Sequence, residues 1–306
     1  MSLAIPDHVS ALAHPDLSDA CAAVHEAAKI ILKYWHNPPS VYLSKSDCHY
    51  DLVSEVDELA DAAIHKILNA RHPTDQILSE EINPDPTSMR IHVGRVWIVD
   101  PLDGTSSFLF KTDVAAPAVM IALIVDGTTD LSVVCQPMIN RWSYAVRGKG
   151  SFRDGVRMYM QSTYESLVNS WIDMNHYGDV AFESDTFRRI DRIVRSNGGA
   201  RLVSRSVPYS AVALKLLVPE EKEQKLFRGL AACVHDHNPD KPKQLPWDIV
   251  PIQLIVEEAG GVYMDSLRGP QECLNPFELK GAIVISNAKL ASEIYTRITK
   301  QHPHKV

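Results

Sequence analysis

No apolar run in this 306-residue chain approaches the roughly 20 residues that span a bilayer, which excludes a helical membrane anchor. There is no basic block either. The 31 lysines and arginines stand against 38 acids, a net charge of −7, and that balance argues against nucleic acid as a main partner. Cysteine is sparse. The five thiols (Cys21, Cys48, Cys135, Cys233 and Cys273) show no paired spacing, which excludes a disulfide framework, and no Cys/His group has zinc-site spacing. An odd, scattered set points to reduced thiols and a cytoplasmic protein. The N-terminus, Met1 to Pro6, lacks the charged and apolar regions of a secretory signal. Repeats and low-complexity segments are absent. What remains is an ordinary globular composition, long enough for one large or two closely packed domains.

The most informative stretch runs from Trp97 to Phe108. Val96 to Val99 is an apolar run of strand type, and Pro101, having no N–H, is expected to end its ladder. Asp100 and Asp103 flank that corner, close enough in sequence to face one cavity. Gly104 and Thr105 follow at an apparent helix start, where free backbone N–H groups attract anions. Two acids beside an anion-binding helix end would repel a phosphate unless a cation sat between them, so the pattern points to a divalent metal and a phosphate. The same string is also ordinary turn chemistry. Three further segments weigh against the turn reading: Asp51 to Asp57, the run Ser79-Glu80-Glu81 after Ile77 and Leu78, and Pro246-Trp247-Asp248, which opens a helix-like segment closed by Glu258-Ala259-Gly260-Gly261.

Taken together and in this order, these segments resemble the signatures of the inositol monophosphatase superfamily of Mg²⁺-dependent, lithium-sensitive phosphatases. Those signatures are Asp-x-Val-Thr-x-x-Asp, Gly-Glu-Glu, Trp-x-x-Asp-Pro-x-Asp-Gly-Thr-x-x-Phe, and a Trp-Asp followed by Ile-x-x-Glu-Ala-Gly-Gly. Ser54 replaces Thr in the first and Ser79 replaces Gly in the second. The resemblance runs from about Asp16 to about Thr299. It implies Glu80, Asp100, Asp103, Asp248 and the Leu102 carbonyl as Mg²⁺ ligands. It makes Asp57 an outer ligand to a more weakly held metal, counted with Glu80 and Thr105 among the catalytic groups. Gly104, Thr105 and Ser106 would offer backbone N–H groups to the phosphate, and Lys45 matches a lysine-bearing loop. Asp57 and Asp248 also have bland readings, as acids at helix N-termini.

The implied fold is a layered αβαβα sandwich of α+β and α/β character. An antiparallel-sheet domain (residues 1–156) carries most of the ligands. A smaller α/β domain (157–306) contributes Asp248 and the specificity segments. Local patterns agree with two halves. Helices are expected over Asp16–Tyr34, with Asp16 or Ser18 as N-cap, and over Leu52–Ala70. A meander follows between Ala118 and Arg153, with turns at Asp126-Gly127 and at Gly148-Lys149-Gly150. Beyond about Arg157, strands such as Leu167–Met174 alternate with helices such as Ser184–Arg195 and Tyr209–Val218.

The expected activity is hydrolysis of a small phosphate monoester by a metal-activated water, in a homodimer. Inositol-type phosphates rank first, histidinol phosphate second, and sugar or nucleotide phosphates third. Specificity is where the chain departs from the inositol branch. Arg205-Ser-Val-Pro208-Tyr209-Ser210 replaces a Gly-[Ser/Thr]-Ala segment, leaving Tyr209 and Ser210 as substrate-binding candidates. Lys241 stands where a glutamate is expected, with His237 and Asp240 nearby. A different class stays open: a non-catalytic relative that uses this fold to bind a partner.

Overall fold

A computed structural model describes residues 3–37, 42–44, 52–82, 93–112, 117–160, 164–168, 170–176, 184–197, 199–205, 209–219, 230–236, 246–269, 279 and 281–300. These residues form two compact units. Unit 1 holds residues 1–157 and 246–258, and unit 2 holds 158–245 and 259–306. The segment bearing Asp248 therefore packs with the first unit, whereas the sequence reading placed it in residues 157–306.

Unit 1 begins with a short helix α1 (His8–Ala11) and the long α2 (Pro15–Trp35). The N-cap of α2 is His14, not Asp16 or Ser18. Its Nδ1 accepts the Asp16 N–H, and Pro15 occupies the first helical position, where a missing N–H costs nothing. The small strands β1 (Tyr42–Ser44) and β2 (Leu52–Ser54) pair antiparallel. Leu52–Ser54 was expected to be helical. The helix α3 (Glu55–Arg71) starts only after Ser54, because a capping box fixes that boundary. Ser54 caps the first turn, and Asp57 accepts the Ser54 N–H in return.

The unit 1 sheet contains β3 (Gln76–Ser79), β4 (Arg95–Asp103), β5 (Ala118–Val125), β6 (Thr128–Gln136), β7 (Arg141–Val146) and β8 (Gly150–Arg153) in sequential order. From β4 onward it is the expected antiparallel meander, while β3 joins β4 in parallel. The alternate residues Trp97, Val99, Val119, Ile121, Leu131 and Val133 pack with Leu17, Val24, Ile31, Val56 and Ile64 of α2 and α3 in one core. A six-residue helix α4 (Thr105–Phe110) follows β4.

Unit 2 has a five-stranded sheet ordered β11-β10-β13-β15-β14, made of β10 (Trp171–His176), β11 (Ala200–Arg205), β13 (Ala232–His235), β14 (Val262–Asp265) and β15 (Ile283–Ser286). β10 starts at Trp171, later than expected, because Leu167 is part of a turn closed by the Ser170 N–H. Helix α5 (Asp185–Ser196) lies between β10 and β11 in sequence. Helix α6 (Tyr209–Ala213) is much shorter than the expected Tyr209–Val218. It tightens into a 3₁₀ turn, and Leu217–Val218 then pair as strand β12 with Tyr159 and Met160 of β9 (Val156–Met160).

Helix α7 (Pro246–Glu258) returns to unit 1 and packs across β4 to β8. None of its side chains joins the α2/α3 core, so it covers the other face of the sheet. Its C-terminal end is fastened. The Glu258 carboxylate accepts the Gly148 and Gly150 N–H groups at 2.8 Å each, in a turn whose glycines hold φ values of +74° and +98°. Helix α8 (Ala288–Lys300) closes the described part of unit 2.

Candidate active site

Pro101 does not end β4. The strand runs on to Asp103, and the missing N–H is absorbed by a register shift. Asp100 lies opposite Met120 and Asp103 opposite Ala118, so three steps on β4 match two on β5. Cross-strand partners share a face, and residues two apart on a strand share a face. The extra residue therefore returns Asp103 to the same face as Asp100, which the unbroken alternation of a strand would forbid. That face is the one α7 covers, and Asp248 lies in the first turn of α7. Asp100 and Asp103 are buried.

The parallel neighbour adds an acid to the same corner. Ser79 is in register with Val99, and the Glu80 N–H donates to the Val99 carbonyl at 3.3 Å. Glu80 thus follows β3 beside Asp100. Within the bulge, the Leu102 N–H donates to Asp100 Oδ1 at 3.0 Å. Gly104 then turns the chain at φ +91° into α4.

Asp57 meets this corner from α3. The Thr105 hydroxyl donates to Asp57 Oδ1 at 2.6 Å, with the Leu102 carbonyl a more distant acceptor at 3.3 Å. Asp57 Oδ2 accepts from the Ser54 N–H at 2.8 Å and from the Ser54 hydroxyl at 2.5 Å. Burial pushes the Asp57 carboxyl up to about 6; the hydroxyl and amide donors oppose that shift, and the Glu80 charge adds to it. Carboxylates gathered in a buried corner, all offering hard oxygen, fit a divalent ion such as Mg²⁺.

The sequence reading missed Asp61, one helical turn beyond Asp57 and fully buried. Its Oδ2 accepts from the Ser79 hydroxyl and, at 3.0 Å, from the Ile82 N–H. Its i, i+4 spacing from Asp57 was the available signal, but an acid in a charged helix reads as solvated.

Not every expected residue lies at this corner. Ser106 sits on the first turn of α4. Ser210 is buried in unit 2, at α6. Tyr209 opens α6. Lys45, Pro208, His237, Asp240 and Lys241 lie outside the described residues.

Among the described residues, the trio of potential metal ligands with all ligand atoms within 4.8 Å of one another is elsewhere: His14, Asp16 and Asp130. Hydrogen bonding accounts for that cluster. His14 Nδ1 accepts the Asp16 N–H, so the neutral ring carries its proton on Nε2, which faces Asp130 Oδ2 at 2.9 Å. Asp16 also pairs with Arg95 at 3.1 Å.

The Nus factor SuhB of Salmonella typhimurium strain LT2 is 26% identical over 290 residues, covering 90% of this chain and 93% of its own. The histidinol-phosphatase of Mycobacterium tuberculosis is 30% identical over 251 residues, covering 80% and 84%. Among solved structures, the IMPase of Thermotoga maritima superposes with a TM-score of 0.70 at 22% identity, covering 94% of this chain and 98% of that one. The model of the inositol monophosphatase family matches residues 13–304, and the chain belongs to that family.

Proposed function

We propose that this chain is a Mg²⁺-dependent hydrolase of a small phosphate monoester, with inositol-type phosphates as the first substrate class. The observation that carries the reading is the bulged corner, where Asp100 and Asp103 share a face, Glu80 stands alongside, and Asp57 holds the Thr105 hydroxyl at 2.6 Å. Glu80, Asp100, Asp103, Asp248 and the Leu102 carbonyl would hold Mg²⁺. Bound Mg²⁺ offsets phosphate charge and lowers the pKa of a water. The protein's own part is orientation. Thr105 gives its only hydroxyl proton to Asp57, so its oxygen lone pairs are left to accept a hydrogen bond from the attacking water. Glu80, with Thr105, would aim that water for in-line attack. The N–H groups of Gly104, Thr105 and Ser106, at the start of α4, suit phosphate oxygens.

A second substrate reading, histidinol phosphate, is favoured by the 30% identity to the mycobacterial histidinol-phosphatase. The test is phosphate release from inositol 1-phosphate, histidinol phosphate, fructose 1,6-bisphosphate and adenosine 3′,5′-bisphosphate, each with Mg²⁺, with lithium, and with excess chelator. Release from one monoester, lost with chelator, is expected. Activity that survives the chelator sinks the mechanism. Mg²⁺ binding without release from any of them favours a fold kept for binding.

A further inference from the structure

The corner described above needs Glu80 to leave β3 in a fixed direction, yet Glu80 sits in a turn just beyond the last paired residue, Ser79. One side chain gathers that turn. Asp61, 0% exposed, accepts the Ser79 hydroxyl before Glu80 and the Ile82 N–H after it (3.0 Å), and the Glu81 N–H is a further donor to the same carboxylate. Both neighbours of Glu80 and the residue after them are thus tied to one buried group. His65, a turn further along α3, faces the other oxygen, Asp61 Oδ1, at 3.5 Å. A carboxylate is suited to this role. It offers about four lone-pair sites and no donor, so three converging donors are satisfied without competition. Ser79 gains a function here, because a residue without a side-chain donor at that position would leave the buried carboxylate one partner short.

We propose that Asp61 is a positioning residue that sets the direction of Glu80 toward the metal corner, with Ser79 as its coupled partner. Helix α3 then serves the site twice on one face. Asp57 orients the Thr105 hydroxyl, and Asp61, four residues on, orients the Glu80 turn. This rests on the reading of Glu80 as a Mg²⁺ ligand.

The test is calorimetric titration of the full chain with Mg²⁺, free of substrate, alongside steady-state kinetics. Glu80→Gln first establishes the underlying reading by losing most of the binding. Asp61→Ala is then expected to weaken Mg²⁺ binding at least tenfold and to raise the Mg²⁺ concentration for half-maximal turnover in step, with KM for the phosphate ester changed less than threefold. Asp61→Asn, which keeps one acceptor, and Ser79→Ala are expected to fall between it and the wild type, and they carry the test if Asp61→Ala does not fold. Ile64→Val, a buried change on the same helix, controls for a merely structural effect and should lower the melting temperature while leaving Mg²⁺ binding within twofold. Asp61→Asn and Ser79→Ala both binding Mg²⁺ like the wild type, with Glu80→Gln impaired, would overturn the positioning role alone. Unchanged binding by Glu80→Gln would overturn the metal reading together with it.

Discussion

Asp57 and Asp75 are both acids with nearly buried side chains in unit 1, and they are satisfied in opposite ways. Asp75, its side chain 6% exposed, accepts from the Arg95 guanidinium at 2.9 Å and from the Trp97 indole at 2.9 Å, with His72 at 3.9 Å. Around it, Arg95 also reaches Asp16, while Arg71 and His72 reach Asp19. Cations belonging to the chain itself are built into that cluster. Asp57 is held instead by neutral donors, the Ser54 hydroxyl and N–H and the Thr105 hydroxyl, and burial pushes its carboxyl up to about 6. The first cluster is self-sufficient and serves the fold. Under the proposed function, the second would gain from a cation supplied from outside, and that difference would separate a structural acid from a functional one.

The same change made in both places gives the sharpest contrast. Asp57→Asn should lower Mg²⁺-dependent turnover at least about a hundredfold, since the Thr105 hydroxyl loses its charged acceptor. The same variant should keep its melting temperature within about 5 °C, because a neutral group is easier to bury. A turnover within threefold of wild type would place Asp57 with the structural acids. Asp75→Asn should do the reverse. It strips the charge from a pair whose guanidinium is one-third exposed, so the loss is screened to about 2 kcal/mol in urea denaturation, with turnover unchanged. Lost activity at full stability in Asp75→Asn would erase the distinction.

How much of this was legible depended on sequence distance. The acids of the corner stand in short strings, and Asp57, Glu80, Asp100 and Asp103 could each be named from them. The direction of their side chains could not. Pro101 predicts the end of a ladder, and only the pairing of β5 shows that a bulge continues β4 and turns Asp103 back to the face of Asp100. Asp61 was passed over because its partners, Ser79 and Ile82, are 18 and 21 residues away, and its spacing from Asp57 alone does not reveal them. The placement of α7 was misread for a related reason. Asp248 lies between the two segments of unit 2 in the chain, yet its helix is apolar on nearly every side and is fastened to a turn more than a hundred residues earlier through Glu258. The start of α5 at Ser184 was legible, whereas the start of α3 was read three residues early and that of α2 was missed, where a histidine takes the capping place usually held by Ser or Asp.

Unit 2 extends the comparison to a base. His235, 1% exposed on β13, is met by the Asn175 amide at Nδ1 (3.0 Å) and by the Cys233 thiol at Nε2 (3.2 Å), both neutral. The amide donates to Nδ1, so Nε2 carries the proton, and burial pushes the imidazolium pKa down to about 3. Between pH 6.5 and 3 the unfolded chain therefore binds a proton that the folded chain refuses. The folded state holds its full stability above pH 6.5 and loses it as the pH falls, at about 2 kcal/mol by pH 5. Wild type and His235→Gln should be compared by urea denaturation at pH 7 and pH 5. The wild type should lose about 2 kcal/mol more than the variant over that interval, whatever the variant loses at pH 7. Equal losses would mean that His235 takes up its proton in the folded state, and that neutral partners can hold a buried charge in unit 2 where, at Asp57, they leave it raised.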